Sequence, residues 1–525
     1  MKGVMASVIG LTLLTFVVTL YFSPLQHEQV PANTIYSNTL LSKNTLDGII
    51  ASPSLTDLTS RWAANVGHRQ SSKFITDFTE TLGAGVCVND VNNDGWLDLL
   101  VVGGGGYSRH YGKKAWWHQL SGNQLLLNQQ GNFFKQADAS WGLQDRLSGV
   151  ACGFADLDND GDDDLVLTGI DGIHIYQKDT LTFTKQSVDV LSAKQGLATS
   201  ASFADFNRDG LLDIYITQFV KYKKGAKTFE PNRGFSGSAS APFSPQLFDS
   251  DVNLLLVNQG NFRFVESAKA LGVDNNFGRS LGAYWHDLNK DSWLDLIVIN
   301  SFETPMQVFL NNSGQSFSRA NEQYSTLQLP HARSLSFIDT QNTTQLIAIP
   351  RAMGHTTTVL KEDTKTNLFK DVSDMSQFRR NNSQMKNAWG SVAADFNNDG
   401  WQDLVMLNGM LSPSADSKFL SQAQTDDIYW GAQNNRFIHA SLDEPKQLPY
   451  SSRGAIKADL NNDGKIELII ANNNDDIRIM GFETPNIGNW ISIEIINTHT
   501  DSNWQFAKVS IDASSSHQAR RFDFA

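Results

Sequence analysis

DVNNDGWLD, from Asp90 to Asp98, is a nine-residue pattern that occurs six times in this chain. The other copies are DLDNDGDDD from Asp156, DFNRDGLLD from Asp205, DLNKDSWLD from Asp287, DFNNDGWQD from Asp395 and DLNNDGKIE from Asp459. A degenerate seventh copy begins at Asp339, where Gln345 replaces the closing acid. Because the pattern returns about every sixty residues over most of the chain, the sequence predicts a repeat architecture rather than several unrelated domains. The degenerate copy is expected to keep its strands and to lose its ion.

Each copy lies between two segments that read as β-strands. A strand of small residues precedes it, such as GAGVCVND from Gly83 to Asp90, and a strand that is apolar on both faces follows it, such as LDLLVV from Leu97 to Val102. A strand of the second kind must be covered on both sides, which neighbouring sheets would do. Two further strands complete each repeat. The sequence therefore predicts an all-β fold, a seven-bladed β-propeller of four-stranded antiparallel blades.

The ends of the propeller are predicted from the same comparison. The segment SLTDLTSRW, from Ser54 to Trp62, resembles the fourth strand of the first repeat although it precedes the first loop. We expect this amino-terminal strand to close the ring as the outer strand of the last blade. The predicted organisation is a linker at 24–53, the propeller at 54–484 and a short C-terminal β segment at 485–525, with residues 221–246 as a loop insertion.

The first residues predict export. Residues 4–22 are apolar apart from small and hydroxyl side chains, and they lie between Lys2 and Pro24. This run is longer than the core of a usual signal peptide and just long enough to span a bilayer, so residues 1–23 are predicted to be a signal peptide or a signal anchor. The protein is expected to be periplasmic, extracellular or anchored to the outer face of a membrane through residues 4–22.

Charge and cysteine content exclude several classes of function. The formal net charge of -13 argues against nucleic-acid partners, which require a surplus of Lys and Arg. Cys87 and Cys152 are the two cysteines of the chain, which rules out a disulfide framework and a cysteine-based zinc site. One bridge between them stays open, but two buried thiols are the favoured interpretation.

The repeated loops carry the chemistry. Side-chain oxygens at positions 1, 3, 5 and 9 and the backbone carbonyl at position 7 would surround a hard divalent cation, and glycine at position 6 permits the tight turn. The absence of cysteine and of a fixed histidine favours Ca²⁺ over zinc or copper, with up to six structural ions. An EF-hand is excluded because position 12 is apolar in every copy, for example Val101 and Leu167. The predicted metal ligands are Asp90, Asn92, Asp94, Trp96, Asp98, Asp156, Asp158, Asp160, Asp162, Asp164, Asp205, Asn207, Asp209, Leu211, Asp213, Asp287, Asn289, Asp291, Trp293, Asp295, Asp395, Asn397, Asp399, Trp401, Asp403, Asp459, Asn461, Asp463, Lys465 and Glu467.

These repeats resemble the FG-GAP/VCBS repeats of integrin α-like propellers. More narrowly, GAGVCVNDVNNDGWLDLLV from Gly83 to Val101, followed by LLLNQQGNFFKQA from Leu125 to Ala137, resembles the cartilage acidic protein type, which ends in an ASPIC/UnbV domain. The tail from Gly488 to Asp512 resembles the start of that domain and is divergent and short. The resemblance implies an exported, calcium-binding, adhesion-like protein without established catalysis.

The sequence indicates the fold of this protein more narrowly than its function. The leading hypothesis is a noncatalytic module that binds a protein or a polysaccharide through loops at one end of the propeller. The alternatives are a polysaccharide lyase or hydrolase with chemistry on the loops at 103–118 or 219–250, and an anchored envelope assembly factor. No catalytic residue is identified. His286 precedes the ligand Asp287 but points to the opposite face of its strand, and the tryptophans at position 7 are expected to pack on neighbouring blades.

Overall fold

Seven four-stranded antiparallel sheets form a closed ring in the computed structural model, which confirms the predicted fold class. The structure describes residues 54–483 apart from 64, 69–78, 80–81, 109–115, 120–121, 144, 146, 193–195, 223–247, 341–344, 352–354, 375–377, 379–385, 410–423 and 443–449, together with short strands near both termini. The predicted loop insertion at 221–246 therefore lies almost wholly outside the described residues.

Each blade is built from consecutive strands, with the first strand nearest the axis. Blades 1 to 4 consist of Val86–Asn89, Asp98–Val101, Gln124–Asn128 and Phe134–Gln136; Gly149–Ala155, Asp164–Gly169, Gly172–Asp179 and Thr182–Lys185; Ala198–Ala204, Asp213–Gln218, Leu254–Asn258 and Phe264–Glu266; and Ser280–His286, Asp295–Asn300, Gln307–Asn311 and Phe317–Arg319. Blades 5 to 7 consist of Ser336–Asp339, Gln345–Ile349, Thr358–Asp363 and Leu368–Asp371; Ala388–Ala394, Asp403–Asn408, Asp427–Ala432 and Arg436–Ser441; and Ser452–Ala458, Glu467–Asn472, Arg478–Glu483 and Ser54–Asp57.

The ring closes through the amino-terminal strand, as predicted. Ser54–Asp57 pairs antiparallel with Arg478–Glu483 and is the fourth strand of blade 7. The strand is shorter than predicted because the chain turns into a helix at Thr59–Trp62, where the Asp57 carboxylate accepts the backbone N–H of Thr59 at 3.0 Å. Blade 1 ends in the same way, with a 3₁₀ turn at Ala139–Trp141 that also buries a tryptophan.

The inner strands approach one another so closely that glycine is required. A Cβ atom on Gly85 of blade 1 would lie 2.8 Å from the Cα atom of Ala151 in blade 2, and one on Gly454 of blade 7 would lie 3.0 Å from the carbonyl oxygen of Ala84. No larger side chain fits at such distances without backbone movement. The small residues on the predicted first strands therefore reflect the convergence of the blades on the axis.

The buried core lies between adjacent blades. The second strands of blades 2, 3, 4, 6 and 7 are buried along their whole length, since each contacts the sheets on both sides. One cluster, for example, joins Ile214 and Leu256 of blade 3 to Val166 and Ile175 of blade 2. Each sheet is thus stabilised mainly by its neighbours, and the ring is the unit that buries apolar surface.

The prediction of two separate thiols was wrong. Cys87 and Cys152 form a disulfide with a Cα–Cα distance of 6.1 Å, which ties the first strands of blades 1 and 2 together. Small residues on these strands place the two Cα atoms within the range that a disulfide requires, and burial of a cysteine does not exclude a bridge to an equally buried partner.

The remaining elements are short. Helices are formed by Thr59–Trp62, Asp189–Ser192 and Ala268–Leu271, and further 3₁₀ turns by Ser325–Leu327 and Gln433–Asn435. A hairpin of Gly105–Ser108 and Trp116–Gln119 extends from blade 1. Near the termini, Ala6–Ile9 pairs with Ser492–Ile495, and Val17–Tyr21 joins Lys508–Ala513 and Ser516–Arg521 in a three-stranded sheet. No helix within the described ranges is both long and apolar enough to cross a bilayer.

Candidate metal centres

Each of the six acidic loops joins the first and second strands of its blade. In the first loop Asn89, the residue before position 1, pairs directly with Asp98 at position 9, and the same register recurs in the other five loops. The degenerate copy keeps this hairpin, because Asp339 pairs with Gln345, which confirms that its strands are retained. All the loops consequently lie at the same end of the propeller.

The carboxylate at position 1 organises every loop. Asp90 accepts the backbone N–H of Asp94 at 3.0 Å and that of Gly95 at 2.6 Å. The first aspartates of the other five loops accept the same two N–H groups. Gly95 has φ +86°, as the turn requires, while Ser292 holds the corresponding position of the fourth loop at φ +78°. The loops therefore share one conformation despite their different sequences.

The acid at position 9 is buried beneath the loop. In the first loop Asp98 is 1% exposed, and it accepts the backbone N–H groups of Val91 at 3.1 Å and Asn128 at 2.7 Å. Burial, helped by the nearby Asp94 and Asp90 carboxylates, raises the pKa of Asp98 to about 7. Burial likewise raises the pKa of the position 9 acid to about 8 in the second loop, to about 7 in the fourth and sixth, and well above its usual range in the third and fifth.

Two of these loops contain buried carboxylate oxygens that receive no hydrogen bond. In the second loop, oxygen atoms of Asp156, Asp158 and Asp164 lie within 4.8 Å of one another, and Asp158 Oδ1 is buried without a partner. In the third loop Asp213 Oδ2 is likewise buried without a hydrogen-bond partner. Acceptors that are buried without donors favour a cation, and a donor set made of oxygen alone suits a hard divalent ion. The residues present therefore fit a calcium-type ion.

Position 4 connects neighbouring loops, which sequence reasoning did not anticipate. The side chain of Asn159 donates to the carbonyl of Gly210 in the next loop at 2.9 Å, Asn398 donates to that of Gly464 at 2.8 Å, and Asn462 donates to that of Gly95 at 3.1 Å. Arg208 makes the equivalent contact with Ser292. All six position 4 residues have φ between +52° and +62°, a region that asparagine tolerates well. The repeated Asn at this position was the available signal.

The tryptophans at position 7 are half-buried and contact neighbouring groups. The ring of Trp293 lies 4.0 Å below the guanidinium of Arg208 from the preceding blade. The ring of Trp96 packs against Gly131, since a Cβ atom added to Gly131 would lie 2.7 Å from Cζ3 of the Trp96 ring. In the second loop Asp162 occupies position 7, and its carboxylate forms an ion pair with the buried Lys178 at 2.6 Å. These residues pack, as expected, rather than forming an exposed aromatic surface.

Other residues singled out from the sequence have structural surroundings. His286 is buried and stacks on Phe337 of blade 5 with ring centroids 4.4 Å apart, so it packs between blades. Tyr107, Trp116 and Trp117 lie in the hairpin that extends from blade 1, but their side chains and the whole of His110 fall outside the described residues. The predicted exposure of this aromatic group stays a prediction.

Comparison with known proteins gives one family and weak structural likenesses. A family model described as an FG-GAP-like repeat matches residues 90–167 and 156–216. Cartilage acidic protein 1 of Mus musculus is 22% identical over 390 residues, covering 62% of this chain and 58% of that protein. This chain thus spans less than two thirds of the length of that relative. A rhamnogalacturonan lyase from Bacillus licheniformis and the rhamnogalacturonan lyase YesW each give a TM-score of 0.39, at 11% and 12% identity, over 77% of this chain and 72% and 73% of theirs.

Proposed function

Because the chain is a seven-bladed β-propeller in which residues 90–216 match an FG-GAP-like repeat, and because it is similar to cartilage acidic protein 1, we propose that it is a calcium-stabilised, noncatalytic binding module that acts outside the cytoplasm. The observation that carries this proposal is the second loop, where three carboxylates converge within 4.8 Å and Asp158 Oδ1 is buried without a donor. Like charges held so close repel one another, and a divalent cation removes that repulsion.

The ion would be held by one ligand set in every loop. Side chains at positions 1, 3, 5 and 9 and the carbonyl at position 7 supply it, as in Asp90, Asn92, Asp94, Asp98 and Trp96 of the first loop. When bound, the ion neutralises carboxylates that belong to both strands of the hairpin. Since the position 4 side chains connect adjacent loops, each ion stabilises the contact between blades as well as its own turn. Its role is structural.

Export is supported by two independent features. The apolar run at 4–22 follows Lys2, as in targeting segments. The disulfide between Cys87 and Cys152 is of a kind that persists in oxidising compartments and is rare in the cytosol. Extracellular calcium modules bind their ions with dissociation constants of about 0.1 to 1 mM, which suits the calcium concentrations outside cells.

Calorimetric titration tests the proposal. We expect chelator-treated protein to take up close to six Ca²⁺ ions, with no comparable uptake of Mg²⁺. Asp164→Asn removes a buried ligand charge from the second loop and should lower the stoichiometry by one. The matched control is Asp339→Asn in the degenerate loop, which should leave the stoichiometry unchanged. If the wild type showed no calcium uptake, the proposal would be wrong.

The raised pKa values of the position 9 acids predict how the effect of calcium varies with pH. Without calcium, burial raises the pKa of the position 9 acid to about 7 or 8 in the first, second, fourth and sixth loops, and well above its usual range in the third and fifth. The folded state therefore holds more protons than the unfolded state between the ordinary value of about 4 and these raised values. The free energy of unfolding contributed by these acids therefore falls as the pH rises through this window. Calcium binds the ionised ligands and must displace those protons at low pH.

We therefore expect the increase in melting temperature caused by calcium to be larger at pH 8 than at pH 5.5. The measurement is thermal unfolding at both pH values with excess calcium and with chelator. Taking the difference between the two conditions cancels the titration of carboxylates elsewhere in the protein. An increase that is the same at both pH values would contradict the assignment of these acids as ligands.

A further inference from the structure

Three consecutive blades place cationic and aromatic side chains at one equivalent position near the axis. Six residues before the first aspartate of the loop stand Arg333 in blade 5, Trp389 in blade 6 and Arg453 in blade 7. The other blades have Ala84, Val150, Thr199 and Leu281 there. This position lies at the start of the inner strand, at the end of the propeller opposite the acidic loops. In five blades it coincides with a β-bulge, which aims a side chain out of the regular pleat.

The three side chains form one cluster, which we call the axial arginine cluster. The Cζ atoms of Arg333 and Arg453 lie 4.4 Å and 4.3 Å from the ring centroid of Trp389, and the indole N–H donates to the carbonyl of Gly409 at 2.7 Å. The hydrogen bond fixes the indole, and the indole holds both guanidinium groups in place. Trp389 and Arg453 are only partly buried, so part of the cluster is in contact with solvent.

Within the described part of the chain, no carboxylate compensates the charge of Arg333. This side chain is 7% exposed, its Nη1 donates to Ser301 Oγ at 2.8 Å, and its Nε is buried without a hydrogen-bond partner. Among the described residues no carboxylate forms an ion pair with Arg333, whereas the nearby Arg478 pairs with Asp426. Burial lowers the pKa of Arg333 to about 10, which still leaves it charged at neutral pH. A buried cation without a counter-ion destabilises the free protein, which is expected where a ligand supplies the missing charge.

We propose that the axial arginine cluster binds a single carboxylate group presented by a protein partner, such as an Asp or Glu side chain or a chain terminus. This inference rests on the proposed binding function and names the ligand for the end of the propeller opposite the acidic loops. The Asp426 carboxylate acts electrostatically on Arg453, so Arg333 is the guanidinium of the cluster left to match one negative charge, and its planar fork matches a carboxylate. Because Arg333 is so deeply buried, the carboxylate must be carried on a slender group, such as a side chain or the end of a polypeptide.

The small charge of the cluster favours a peptide over an acidic polysaccharide. A polymer with a charge on every sugar would bring many negative charges to the propeller, and Arg333 would compensate only one of them. A peptide can present one carboxylate among neutral neighbours. Val150 and Leu281, at the equivalent positions of blades 2 and 4, pack against an apolar cluster that includes Leu82 and Phe219, so these positions carry no charge that would recruit a polyanion.

Calorimetry on the full calcium-loaded chain tests this inference with the peptides acetyl-Gly-Gly-Gly-Asp-amide and acetyl-Gly-Gly-Gly-Asn-amide, and with polygalacturonate as a third probe. We expect the Asp peptide to bind at least tenfold more tightly than the Asn peptide. Arg333→Met should remove this difference, while Arg436→Met, which changes an exposed arginine of blade 6, should preserve it. Arg333→Met should also melt no lower than the wild type, because it removes an uncompensated buried charge.

The outcomes separate this inference from the proposed function. If wild-type protein gains melting temperature with calcium but does not distinguish the two peptides, the inference fails and the proposed function stands. Loss of the calcium effect itself would be a failure of the proposed function. Binding of polygalacturonate that depends on Arg333, without discrimination between the peptides, would overturn the assignment to a protein partner. A melting temperature of Arg333→Met several degrees below that of the wild type would show that Arg333 serves the fold instead.

Discussion

Chelation of calcium is expected to lower the free energy of unfolding by roughly 8 kcal/mol. We take dissociation constants of about 0.1 to 1 mM for the six sites. Free calcium at ten times the dissociation constant then stabilises the folded state by about 1.4 kcal/mol per site, and the contributions of the six sites add. The whole stability of a typical domain is about 5 to 15 kcal/mol, so the chelated protein should be partly unfolded under mild conditions. Once the ion has gone, buried acids such as Asp98 and Asp213 must either stay charged close to other carboxylates or take up protons, as their raised pKa values indicate.

The measurement is denaturant unfolding in excess calcium and in excess EGTA, followed by far-ultraviolet circular dichroism. EGTA already saturated with calcium is the control for effects of the chelator itself. Re-addition of calcium should restore the transition, and magnesium should not. Unfolding midpoints that coincide with and without calcium would show that the loops hold together without metal.

Replacing Trp62 with alanine is the single substitution for which we expect the largest loss of stability, about 3 to 5 kcal/mol. Trp62 is 2% exposed and packs 5.2 Å from the ring of Phe134 in blade 1, in a cluster that also contains Ile469 and Ile479 of blade 7. It therefore joins the closing strand to the blades on both sides of the junction. The cavity left by alanine would lie between the first and last blades.

Denaturant unfolding in excess calcium measures this effect. Trp62→Phe keeps much of the volume and should cost clearly less than Trp62→Ala. The matched control is Phe277→Ala, because Phe277 is 76% exposed and its removal should change the free energy of unfolding by less than about 0.5 kcal/mol. If Trp62→Ala were no more damaging than this control, the junction would not limit stability.

The repeated loop made the fold predictable. The period of the motif, the small residues before it and the apolar strand after it each follow from local sequence, so the blades, the order of their strands and the closing strand were all foreseen. The pairing of Cys87 with Cys152 was not, because it depends on how near two adjacent inner strands lie. Spacing along the chain carries no information on that distance.

Of the two candidate sites, one could be recognised from the sequence and the other only from the structure. The acidic loops could be recognised because their acidic side chains are close in sequence, although the contacts of Asn159 and Asn398 with the next loop were visible only in three dimensions. The axial arginine cluster draws one residue from each of three blades, more than fifty residues apart. No local pattern marks Arg333, Trp389 and Arg453 as a group, and their equivalence becomes evident only once the repeats are aligned on the structure.

The closing strand also determines when the protein can finish folding. Ser54–Asp57 leaves the ribosome early, yet its partner strand Arg478–Glu483 is made more than four hundred residues later. Intermediate blades can form as they emerge, but the two ends of a growing arc keep unpaired backbone groups and apolar surface until the last repeat arrives. A nascent chain of this kind has a long period of exposure to aggregation, so its yield in the cell should depend on chaperones that shield strand edges until the circle is complete.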